Sequence, residues 1–149
     1  YLDNARLKAL AAAQRTGCWA LADDSGLEVD ALDGAPGIYT ARFAASDPEK
    51  LNSLQQAMAG IPYRSACFRS AMVLCSPEGD CAEEAEGFCW GELLETPAYP
   101  GGGIESLFWV REAGCSYGQL NVSQLSKLGS RGKAARSLAP GLRRRLLLD

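Results

Sequence analysis

Histidine is absent from this 149-residue chain. Its absence removes the imidazole base on which hydrolases of the Ser-His and Cys-His types depend. It also narrows the choice of metal. A zinc site without histidine needs clustered thiolates, and although six cysteines are present, no two are separated by two to four residues. A disulfide framework is possible by count, but nothing points to secretion and the chain is too long to depend on such staples. Free, mostly buried thiols are expected. No apolar run approaches the roughly 18 residues that span a bilayer, and no signal segment is recognisable. Any hydrolysis must therefore run on carboxylates, lysines, arginines and a hard cation.

What is present describes an ordinary globular chain, 47% hydrophobic and 22% charged, long enough for one domain with a proper core. The net charge of −3 argues against nucleic acid or an anionic membrane as partner. A local asymmetry hides within it. Lys127, Arg131, Lys133, Arg136, Arg143, Arg144 and Arg145 follow one another with no acid among them. Such a run meets a polyanionic ligand or forms a solvated face; read alone it is the latter. The stretch from Arg64 to Arg69 reads as an exposed basic strand, a dimer edge or a solvated face.

Hydrophobic spacing predicts a helix over Tyr1 to Thr16 with Gly17 just past its end. The chain opens on Tyr1 at the apparent start of that helix, so an upstream segment is expected. Cys18 to Ala22 reads as a short buried strand ending in an acidic turn, Asp23-Asp24-Ser25-Gly26, with a second short strand over Leu27 to Val29. Asp33 to Gly37 is loop. Asp47 is placed to cap a helix running to Met58, with Pro48 at its first position. Arg64 to Cys75 and Cys81 to Leu94 form a long hairpin about a Ser-Pro-Glu-Gly-Asp turn. Ile104 to Arg111 reads as a short strand with a turn, and the chain from Ser130 as helix interrupted near Pro140. Interleaved helices and strands predict an α/β fold on a mixed sheet. Trp19, Trp90 and Trp109 fall in predicted strands, where core or dimer packing is their ordinary use.

The segment Leu21-Ala22-Asp23-Asp24-Ser25-Gly26-Leu27 carries the chemistry. Two adjacent carboxylates after an apolar strand repel one another and lose solvation. Strand ends in α/β sheets collect ligands, and carboxylates there suit Mg²⁺, which prefers oxygen donors and bridges to phosphates. One would hold the metal while the other takes a proton from water. Equally, Asp24 or Ser25 caps a turn, a common use of Asp-Ser-Gly. The dipeptide alone supports both.

Asn4-Ala5-Arg6-Leu7-Lys8-Ala9 and the ungapped block from Ala20 to Phe43 resemble the signature of the inosine triphosphate pyrophosphatase family. Weaker similarity continues through Gly91-Glu92 to Ser130-Arg131-Gly132-Lys133-Ala134. The resemblance implies hydrolysis of purine nucleoside triphosphates such as ITP, dITP and XTP to monophosphate and pyrophosphate. It implies Mg²⁺ as cofactor, a cytoplasmic homodimer, and one α/β domain over residues 1–149 in which a long, mixed, twisted sheet with flanking helices forms two lobes about an active-site cleft. Carried over, Asp24 is the general base and metal-associated carboxylate, Asp23 its acidic neighbour, Ser25 a substrate contact and Lys8 the helix lysine that reaches the phosphates. Gly102-Gly103-Ile104-Glu105 corresponds to the loop holding the base, and Ser130 with Arg131 to contacts near base and phosphates.

The chain also departs from the family pattern. Gly102 stands where a stacking Phe is usual, Glu105 where Asp is, Leu125 in place of a lysine and Ser130 in place of a histidine. A strand with a Gly-Asn-x-x-Lys phosphate loop is expected upstream of Tyr1. The hydrolytic residues are thus kept and the base-reading ones altered, which predicts changed or relaxed base preference. The competing expectations are a non-catalytic nucleotide-binding member of the fold and a pyrophosphatase acting on a modified pyrimidine.

Overall fold

Alanine spacing decides how the first helix packs. Ala5, Ala9 and Ala13, four residues apart, are fully buried, and side chains this small let the helix backbone approach what lies beneath. This helix, α1 (Leu2–Thr16), stops at Gly17, whose left-handed φ of 69° is cheap only for glycine and whose N–H bonds Ala13 O at 2.9 Å. The computed structural model describes residues 1–147. After α1 come β1 (Ala20–Val29), β2 (Pro36–Gly37), α2 (Asp47–Ala57), β3 (Ser65–Cys75), β4 (Cys81–Leu93), β5 (Phe108–Val110), β6 (Cys115–Ser116), α3 (Val122–Leu128) and α4 (Ser130–Leu146). The strands form one sheet in the order β2-β1-β3-β4-β5-β6, and the β1–β2, β4–β5 and β5–β6 pairs are antiparallel. The α/β class expected from the sequence is correct.

Contacts divide the chain into two compact units. The first comprises residues 1–25, 69–88 and 130 onward; the second, residues 26–68 and 89–129. In the first, α1 packs Ala5 and Ala9 with Val73 and Cys75, flanked by Leu2, Leu10, Ala22 and Cys81. In the second, Leu27, Val29, Leu54, Met58, Leu93 and Phe108 centre the core. Phe68 sits 4.6 Å by ring centroid from both Phe108 and Tyr117, tilted against each, as aromatic quadrupoles prefer.

Arg64 is not the solvated basic residue its neighbourhood suggested. Its guanidinium donates to four backbone carbonyls of the second unit: Leu93 at 2.6 Å, Leu94 at 2.9 Å, Met58 at 3.1 Å and Ile61 at 3.2 Å. Arg69, in the first unit, lies over the rings of Tyr1 and Phe88 and pairs with Glu86 at 2.9 Å. Neither is a free surface cation.

Other expectations are corrected by packing. Residues 20–29 form one continuous strand, so Asp23 to Gly26 is not a turn; strand pairing overrides the local turn preference of Asp, Ser and Gly. The stretch from Cys18 to Ala22 is not buried: Trp19 is 37% and Leu21 50% exposed. Trp90 is also exposed and belongs to no core. The α2 cap is Ser46, whose hydroxyl accepts the Glu49 N–H at 3.3 Å, one residue before the expected Asp47. Helix α4 runs through Pro140. The proline removes one helix hydrogen bond, but Leu138 and Gly141 are buried on either side of it. Glu83, which packs against Gly141, accepts Arg145 Nε at 3.2 Å and Arg144 at 3.5 Å.

Cysteine usage differs as well. Cys75 and Cys81 form a disulfide across the β3–β4 turn, while Cys18, Cys67, Cys89 and Cys115 stay as thiols, of which Cys67 and Cys89 are buried. The hairpin brings the two sulfurs together, which spacing alone did not disclose. A loop this short closes cheaply, so the chain-entropy account gives about 2 kcal/mol of stabilisation. Cys81→Ser is expected to lower the unfolding free energy by that amount in urea titration, and added reductant should reproduce the loss in the wild type.

Candidate active site

Alternation along β1 separates the two carboxylates. Successive strand side chains point to opposite faces, and Asp23 and Asp24 do so here. Asp24 and Ala22 face α1. Asn4 Nδ2 donates to Asp24 Oδ2 at 3.2 Å, and Lys8 Nζ lies 3.5 Å from Asp24 Oδ1. Asn4 and Lys8 are one helical turn apart, so α1 presents both to the same carboxylate. Lys8 also donates to the backbone carbonyl of Asp23 at 2.6 Å, which ties the helix to the strand. The Asp24 side chain is 18% exposed, against 56% for Lys8.

Asp23 and Ser25 face the other way. Arg131, near the start of α4, donates from Nε to Asp23 Oδ2 at 2.7 Å, a short charge-assisted bond. Ser25 Oγ donates to the same oxygen at 3.3 Å. Ser25 Oγ lies 2.7 Å from Ser70 Oγ, and Ser70 Oγ lies 2.7 Å from Ser130 Oγ. Lys8, Asp23, Asp24, Ser25, Ser130 and Arg131, separated by more than a hundred residues of chain, are therefore brought together in the first unit. The two carboxylates thus have separate partners, Asn4 and Lys8 for Asp24, Arg131 and Ser25 for Asp23. Asp23 is committed to Arg131 and Ser25.

A divalent ion would find in Asp24 a carboxylate with no arginine bonded to it among the described residues. Among the described residues no group of three His, Cys, Asp or Glu side chains could cage a metal. A single carboxylate suits Mg²⁺, which keeps several waters and takes remaining ligands from phosphate. It does not suit zinc, which asks for three or four protein ligands.

Gly102, Gly103, Ile104 and Glu105 belong to the second unit and form a loop leading into a 3₁₀ turn over Ile104–Ser106. Glu105 Oε1 accepts the Gly103 N–H at 2.8 Å, and Ser106 Oγ donates to Gly103 O at 2.6 Å. Tyr99 dominates this loop, and the sequence reading missed it. A Cβ on Gly102 would lie 2.6 Å from the Tyr99 ring, and one on Gly118 would overlap the Tyr99 hydroxyl. Tyr99, three residues earlier in the chain, thus lays an aromatic ring against Gly102. Burial, and then the Glu105 carboxylate, push the Tyr99 phenol above its ordinary value of 10.0. Gly118→Ala should expel the ring and return the phenol toward 10.0, seen as earlier phenolate formation in ultraviolet titration. Asn4 and Ser70 were also missed as site residues. The i, i+4 spacing of Asn4 and Lys8 could have disclosed the first. The second shows only as a small polar residue in a largely apolar strand.

Comparison with known proteins places the chain in a family. The profile described as the Ham1 family matches residues 1–141. The dITP/XTP pyrophosphatase of Gloeobacter violaceus is 43% identical over 145 residues, covering 97% of this chain and 74% of the relative. The dITP/XTP pyrophosphatase of a Synechococcus strain is 40% identical over 150 residues, covering all of this chain and 73% of the relative. The solved HAM1 protein of Coxiella burnetii is similar in fold, with a TM-score of 0.87 at 33% identity, covering 97% of this chain and 77% of the other.

Proposed function

We propose, since the chain belongs to the Ham1 family, that it hydrolyses nucleoside triphosphates of the dITP, ITP and XTP type to monophosphate and pyrophosphate. The observation that carries this reading is the Asp24 carboxylate, 18% exposed and held between Asn4 and Lys8. Fixed in this way, Asp24 accepts a proton from water attacking the α-phosphorus, and the bond from that phosphorus to the pyrophosphate oxygen breaks. Asn4 holds the carboxylate's orientation. Lys8 places positive charge beside it, where phosphate oxygens would come to lie. Arg131, anchored by Asp23, offers a planar fork to the leaving pyrophosphate and stays charged throughout. Mg²⁺, seated on Asp24, would supply further positive charge against the phosphate oxygens.

The loop from Gly102 to Glu105 is assigned to the base. Tyr99 packed over Gly102 favours a base preference shifted from that of relatives with an aromatic at that position. As a homodimer in the cytoplasm the protein would remove non-standard purines from the nucleotide pool. Among the described residues no helix is long and apolar enough to cross a membrane. The test is pyrophosphate release from dITP, XTP, dUTP and the standard deoxynucleotides, with and without Mg²⁺. Mg²⁺-dependent turnover of dITP or XTP is expected. Equal inactivity towards all would defeat the reading, and turnover of dUTP alone would move the activity to pyrimidines.

A further inference from the structure

Ser70 has no exposed surface, yet its hydroxyl lies 2.7 Å from each of two site hydroxyls, those of Ser25 and Ser130. A serine hydroxyl has one proton and donates once. The proton of Ser25 is spent on Asp23 Oδ2, because a carboxylate only accepts. Ser70 must then donate to Ser25, and Ser130 to Ser70. The result is a one-way chain, Ser130 to Ser70 to Ser25 to Asp23, ending on the oxygen that also receives Arg131 Nε. Hydrogen bonds polarised in series strengthen one another, most of all where water is excluded.

We infer that Ser70 is a positioning residue for the hydrolysis proposed above: through this chain it fixes the hydroxyls of Ser25 and Ser130 and, beyond them, the Asp23–Arg131 pair. The inference rests on the hydrolytic reading. It adds to that reading a residue that itself touches neither phosphate nor attacking water. Ser25 is 45 residues away in sequence and Ser130 is 60, and Ser70 joins the strand bearing Asp23 to the helix bearing Arg131 by hydroxyl contact. With Ala at this position, both neighbours lose a partner and the chain breaks in its middle.

The test uses the full chain with Ser70→Ala and Ser70→Cys. In proton NMR of the free protein, the Ser25 and Ser130 hydroxyl protons are expected to exchange slowly in the wild type and to lose protection in Ser70→Ala. The buried Ser106 hydroxyl, bonded to Gly103 O, should be unaffected. In steady-state assays Ser70→Ala should lower kcat about tenfold, roughly the equivalent of one net hydrogen bond, with KM changed little. Ser70→Cys, a weaker donor of similar shape, should recover part of that loss, and it carries the test if the alanine variant does not fold. Unchanged hydroxyl protection, unchanged kcat, or equal losses in both variants tracking a fall in Tm would overturn the inference alone. Inactivity of the wild type towards every nucleotide would overturn the hydrolytic reading itself.

Discussion

Asp24→Asn should reduce pyrophosphate release by about 10³-fold while leaving the protein folded, because general-base catalysis by one positioned group is worth roughly 10²–10⁴ in rate. Asparagine matches the carboxylate in shape, so Asn4 and Lys8 keep a neighbour of the same size. What it lacks is the negative charge and the basic lone pair, and both are needed to accept a proton and to attract Mg²⁺. Lys8 is 56% exposed, and an ion pair open to solvent contributes little to stability. Tm should therefore be nearly unchanged. Binding of Mg²⁺, followed by calorimetry with a non-hydrolysable triphosphate present, should weaken alongside the rate. A variant retaining more than a tenth of wild-type turnover would remove Asp24 from the chemistry.

Arg64→Ala is expected to have the largest effect on stability, about 3–4 kcal/mol. Its four bonds run to backbone carbonyls of Met58, Ile61, Leu93 and Leu94. Hydrogen bonds to a charged partner contribute roughly 1.5–3 kcal/mol each, and they do not sum when one side chain makes them all. Alanine leaves these carbonyls without the guanidinium, and those screened from water carry a desolvation cost. At this chain length the loss corresponds to a fall in Tm on the order of 10 °C. Arg64→Lys should recover little, because a compact ammonium with three donors cannot span four carbonyls that a planar fork reaches at once. Thermal unfolding of the two variants decides the matter; lysine performing as well as arginine would show that charge, not geometry, stabilises this corner.

The sequence is informative where a local rule has no competitor. Gly17 stops α1 because the left-handed conformation is cheap only for glycine. The Ser-Pro-Glu-Gly-Asp turn marks the hairpin between two apolar runs. The adjacent pair Asp23 and Asp24 stands out because like charges in an apolar stretch repel, whereas Lys8 is singled out only by the family resemblance. Local rules fail where partners come from afar. Asp-Asp-Ser-Gly has the composition of a turn, and only pairing with neighbouring strands makes it the middle of β1, which in turn sends the two carboxylates to opposite faces. Asp23 then belongs to Arg131, 108 residues along the chain. No spacing rule reaches so far.

From its residues alone, then, the chain determined an α/β class and chemistry independent of histidine, and the family resemblance singled out Asp24 and the helix lysine near it. Tertiary structure alone decided that Asp23 and Asp24 meet different partners, that Tyr99 packs against Gly102, that Cys75 meets Cys81, and that Ser70 joins Ser25 to Ser130. The reason is physical: conformational preference and periodicity act over a few residues, whereas these contacts arise only once strands and helices remote in sequence pack side by side.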